Sequence, residues 1–78
     1  MRREEQQALA WADRVLAEAP WVEEAYQAKM RALARLGERT QALAVYEDAR
    51  AALARELGVE PSPLTEWLAE QLRRGEMI

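Results

Sequence analysis

The sequence predicts an all-α fold built from antiparallel helical hairpins. Three observations carry this. A glycine, Gly37, separates two stretches whose apolar residues recur at helical spacing. Beyond it, Ala42, Tyr46 and Ala49 place a small, an aromatic and a small residue on one helix face, the pattern of a helix packed closely against its neighbours. Finally, no run alternates apolar and polar residues for long, β-branched residues are scarce, and Ala supplies 16 of the 78 residues while Phe supplies none.

Four helices are expected, over roughly 4–19, 22–36, 39–57 and 63–74. In the first, Leu9, Ala12, Leu16 and Ala19 form one apolar stripe and Ala8, Trp11 and Val15 an adjacent one. Pro20 ends it, because the residue before a proline is pushed out of the helical region. The second opens with Glu23 and Glu24, where the helix dipole favours negative charge, and buries Tyr26, Met30 and Leu33. Gly37 suits the left-handed position that closes it. The third carries Ala42, Tyr46, Ala49 and Leu53 on its apolar face, extended by Leu57, and stops at Gly58. Val59–Pro63 reads as an extended connector in which Ser62 caps the fourth helix and Pro63 takes its first position. The fourth helix carries Leu64, Trp67, Leu68 and Leu72 and ends near Gly75; the tail 76–78 is expected to fray.

Composition excludes several kinds of function. With no His and no Cys, the common zinc ligands, general bases and nucleophilic thiols are missing. Ser62 is the only serine and is expected to cap a helix. The carboxylate pairs Glu23/Glu24 and Glu47/Asp48 are adjacent in sequence, so their side chains diverge by about 100° on a helix, which suits a solvated face rather than a paired acid and base. No enzyme activity, cofactor or metal is expected. A net charge of −3 argues against nucleic acid or an anionic membrane as a direct partner. No apolar run approaches the roughly 20 residues of a membrane span, and a cytoplasmic setting is the default expectation.

The spacing Ala42-x3-Tyr46-x2-Ala49 resembles the second helix of a tetratricopeptide repeat, whose period is about 34 residues. Counting back one period reaches Ala8-x3-Ala12-x2-Val15, with Pro20 at the closing proline position. The first helix therefore looks like the second half of one repeat, helices two and three like a complete repeat, and helix four like the opening of a third. Residues 1–78 are expected to form a single tetratricopeptide-like domain, one complete repeat flanked by half repeats. The segments Met30–Glu47 and Leu53–Pro63, and above all Glu56-Leu57-Gly58-Val59-Glu60-Pro61-Ser62-Pro63, resemble the C-terminal part of the bacterial transcriptional activator domain. In that family a tetratricopeptide-like domain follows a winged-helix DNA-binding domain, as in SARP-type regulators. The resemblance implies a non-enzymatic protein–protein interaction or oligomerisation module of a transcriptional regulator, with DNA binding residing outside these residues. A free-standing tetratricopeptide adaptor that binds an acidic peptide or C-terminus, unrelated to transcription, is the alternative.

Lys29, Arg31, Arg35 and Arg39 form a basic run interrupted by one acid, Glu38. In a tetratricopeptide unit the first helix of each hairpin lines a concave groove, and by that register Glu24, Gln27, Arg31 and Arg35 face it. This stripe is a candidate docking site for an acidic peptide, a C-terminal carboxylate or a neighbouring subunit; the competing reading is an ordinary solvated face neutralised by nearby Glu. Tyr26, Tyr46 and Trp67 are expected in the core, with Trp21 stapling the first hairpin. At least about three repeats are normally needed to bury the faces of such units. An uncovered stripe on the first helix, Ala8, Leu9, Trp11, Val15 and Leu16, is therefore expected to drive self-association into a homodimer or higher oligomer.

Overall fold

The computed structural model describes residues 2–78; Met1, the first residue of the predicted domain, lies outside the described residues. It contains four helices, α1 (Arg2–Glu18), α2 (Glu23–Arg35), α3 (Arg39–Leu57) and α4 (Pro63–Arg74), and no strand among the described residues. This is an all-α, tetratricopeptide-like arrangement of antiparallel hairpins. α1 packs on α2, α2 on α3, and α4 on both α3 and α2, while α1 and α4 do not meet. The principal extents are 34 × 27 × 16 Å, so the slab is under two helix diameters of about 10 Å thick and every helix keeps a solvent-facing side.

Local chemistry sets the helix ends. At the α2–α3 turn Gly37 has φ 80°, the Glu38 N–H donates to Leu33 O at 2.8 Å and the Gly37 N–H to Ala34 O at 3.0 Å, so the last carbonyls of α2 are satisfied. Gly58 closes α3 in the same left-handed conformation, with the Val59 N–H reaching back to Leu53 O. Ser62 caps α4, its hydroxyl accepting from the Thr65 N–H, with Pro63 at the first helical position. The α1–α2 turn is clamped by the Tyr26 hydroxyl donating to Pro20 O at 2.7 Å; Trp21, expected as the staple, is 44% exposed.

Fully buried alanines (Ala12, Ala25, Ala42, Ala49 and Ala69) let the helices approach closely, and Met30, Leu53, Leu68 and Leu72 fill the space between them. Three expectations about burial are corrected. Trp67 is 52% exposed rather than core, and Leu64 is exposed with it. The buried stripe of α4 is Thr65, Leu68, Ala69 and Leu72; Trp67, two residues beyond Thr65, points about 200° away. Leu57 does not extend the core, because α3 is 19 residues long and α2 only 13, which leaves the last turns of α3 overhanging by about 9 Å. The tail does not simply fray: Ile78 packs half-buried against the core.

Candidate partner-binding groove

α2 leaves Glu24 and Arg35 exposed and Ala28 and Arg31 half-buried. Its outward stripe is Glu24, Ala28, Arg31 and Arg35, one helical turn apart at each step. A hollow of about 210 Å³ opens where α1 meets this stripe, with Ala28, Arg31 and Arg35 from α2 facing Glu4, Glu5 and Ala8 from α1. Arg35 and Glu5 also border a wider hollow beside Leu36 and Met77, so the groove continues past the end of α2 to the C-terminal tail.

Gln27, expected on this stripe, is not there. It is 7% exposed, and its amide donates to Thr65 Oγ1 at 2.8 Å. Thr65, itself 0% exposed, donates its hydroxyl to Glu23, whose Oε2 also accepts the Ser62 N–H at 2.7 Å. Burial raises the Glu23 pKa, but the hydrogen bonds from Thr65 and Ser62 outweigh it and hold the carboxyl below its ordinary value. This latch ties the connector and α4 to α2. Sequence reasoning missed it; the available signal was a threonine at an apolar-stripe position of α4. A second anchor was missed as well. The Tyr46 hydroxyl donates to Glu66 at 2.8 Å, and the Arg73 guanidinium lies 5.3 Å from the Tyr46 ring centroid.

The basic run divides by its partners. Lys29 Nζ pairs with Asp13 Oδ1 of α1 at 2.9 Å, and Arg39 Nη1 donates to Leu72 O at the end of α4 at 3.2 Å, where a cation complements the helix dipole. Arg31 and Arg35 take part in no ion pair within 4.0 Å among the described residues. The acids that face them, Glu4 and Glu5, border the same hollow without closing on them.

The expected uncovered stripe of α1 is also corrected. Leu9 and Leu16 pack against the core, and Ala8 and Val15 are half-buried; of the five residues only Trp11 is exposed, at 44%. The far side of α1 carries Arg3, Gln6, Gln7 and Arg14, all exposed.

The connector that distinguishes this chain from a generic repeat protein has a part for most of its residues. Gly58 turns the chain, Pro61 is buried, the Ser62 N–H is held by Glu23 and Pro63 opens α4. The family model of the bacterial transcriptional activator domain matches residues 2–73. The chain belongs to that family. No curated protein and no solved structure matches it. Activator domains of this family belong to transcriptional regulators, and the family is regulatory rather than enzymatic. In this activator domain the connector is a structural signature, since its residues seat α4 and bear none of the exposed charge of the groove. No described helix is long and apolar enough to cross a membrane.

Proposed function

We propose that this activator domain is the protein-interaction module of a bacterial transcriptional regulator, and that the groove over α2 receives an acidic segment of a partner protein. The observation that carries the reading is the state of Arg31 and Arg35. Among the described residues they are the two cations of the basic run left with neither an ion pair nor a hydrogen bond, and they sit one turn apart in the hollow where α1 meets α2. Two like charges at that spacing repel slightly, and an acidic ligand relieves the repulsion with charge-assisted hydrogen bonds. Glu4 and Glu5 on the facing wall set a threshold: a ligand must be acidic enough to compete with them. The domain itself performs no chemistry, needs no cofactor and leaves DNA contacts to other parts of the regulator, in keeping with a cytoplasmic protein of net charge −3.

Fluorescence anisotropy with a glutamate-rich peptide tests the groove. The parent chain binds, more weakly as salt rises, and the Arg31→Glu/Arg35→Glu chain loses at least tenfold in affinity, about 1.4 kcal/mol. Equal binding by both chains removes the groove from the mechanism. Self-association belongs to the same reading and rests on the exposed Trp11 edge of α1. A chain that remains monomeric by sedimentation equilibrium at tens of micromolar removes that part.

A further inference from the structure

α4 is held by contacts that a second copy of the chain supplies equally well. Its anchors are the Ser62 N–H and Thr65 hydroxyl on Glu23, Gln27 on Thr65, Tyr46 on Glu66 and Arg39 on the Leu72 carbonyl, with Leu68, Ala69 and Leu72 in the core. All the groups that receive α4 lie on α2 and α3. α4 reaches them over Gly58–Ser62, a segment without regular structure in which Gly58, Val59 and Glu60 are exposed and Pro61 is buried. The backbone bonds of this connector lie at its two ends, and Pro61 and Pro63 keep it from continuing α3 as a helix. Opening at Gly58 therefore moves α4 as a unit, withdrawing Leu68, Ala69 and Leu72 from the core cluster they share with α2 and α3.

A chain holds its own α4 at an effective concentration in the millimolar range. Exchange at micromolar concentration needs an added interface, and the hinge offers one. Leu57, Val59, Leu64 and Trp67 are 53%, 47%, 43% and 52% exposed, four large apolar side chains gathered in and beside the connector. When two connectors run past one another, these side chains meet across the crossing. We propose that the chain dimerises by exchanging α4, each copy seating its α4 on α2 and α3 of the other, with the apolar hinge residues packed between them. The interface is distinct from the Trp11 edge of α1 and does not depend on it.

The native chain has no cysteine, so introduced thiols report the exchange. Chains carrying Gln27→Cys and Thr65→Cys are co-refolded at high concentration, diluted and treated with a short bis-maleimide. Exchange yields a covalent heterodimer, and its absence overturns the proposal. Both substitutions touch the latch, so a second chain leaves the latch and the four apolar hinge residues untouched: deletion of Glu60 shortens the connector by about 3.5 Å and strains the closed form. That chain is expected to sediment as a dimer with the helical content of the parent; a helical monomer, or a chain that loses its helicity, overturns the proposal. If a cysteine variant loses helicity, the deletion decides alone. A parent dimer with no cross-chain product places association on another face, which overturns exchange and leaves the α1 reading standing.

Discussion

Glu23 and Thr65 show how one pair of side chains fixes the seat of a helix. The Glu23 carboxylate accepts from the Ser62 N–H and the Thr65 hydroxyl, and the Thr65 oxygen in turn accepts from Gln27. Replacing Thr65 with Val keeps the volume but leaves the Gln27 amide without its acceptor in a buried site. The expected cost is about 1–3 kcal/mol by urea unfolding, and a variant as stable as the parent would show that water takes over the bond. The pH dependence has a definite sign. Because the folded Glu23 pKa lies below its ordinary 4.5, its contribution is present above that pH and is lost as pH falls through the folded value. Glu23→Gln should therefore flatten the acid limb of the stability profile, read as the urea midpoint against pH. At the alkaline end Tyr26 and Tyr46 are both raised above 10.0, chiefly by burial, so their contribution is present below pH 10.0 and fades as pH climbs through their folded values. Gln27 lies at the edge of the α2 stripe, and helical spacing alone gives no reason to bury it. Thr65, 38 residues away, turns it inward.

The helices themselves were largely legible because their punctuation is local. Pro20, Gly37, Gly58 and the Ser62-Pro63 pair act within a residue or two, and the observed boundaries follow them. The rotation of α4 was not legible. Leu64, Trp67, Leu68 and Leu72 form a plausible apolar face, yet the latch requires Thr65 to point inward, and that turns Trp67 out. Leu68→Ala, at a site with 0% exposure, is expected to cost about 2–5 kcal/mol, whereas Trp67→Ala, though it removes a larger side chain, should change stability by only about 0.5 kcal/mol. The reverse order in thermal or urea unfolding would contradict the observed rotation. Gly58 gives a cleaner backbone test. A Cβ there meets nothing within 4 Å, so Gly58→Ala costs only the strain of φ 67°, about 1–2 kcal/mol, with no change in the core.

Taken together, the four helices leave all three tryptophans at the surface: Trp11 and Trp21 are 44% exposed and Trp67 52%. Tryptophan emission of the dilute monomer is therefore expected near that of the unfolded chain, and unfolding must be followed by circular dichroism. Association through the Trp11 edge or the α4 hinge should move the emission to the blue as concentration rises. A concentration-independent spectrum across the range in which sedimentation reports association would exclude both surfaces. Apolar side chains on a 78-residue slab 16 Å thick have little interior to enter, which is why a chain with half its residues apolar still exposes seven large hydrophobic side chains among the described residues. The candidate groove was legible only in outline. The repeat register singles out Arg31 and Arg35 from a run of four cations, yet nothing along the chain separates paired cations from unpaired ones. The separation comes from Asp13 on α1 and the Leu72 carbonyl on α4, partners contributed by other helices.

Helix number, helix ends, the repeat register and the connector that marks the family can all be read along the chain, since periodicity, prolines and glycines act over one or two turns. Which face each helix turns inward, which cations stay free and which tryptophans remain in water depend on contacts between residues up to 42 positions apart. A hydrogen bond across such a distance forms only once the helices are packed, and until then Gln27 and Thr65 are two polar residues with nothing to connect them.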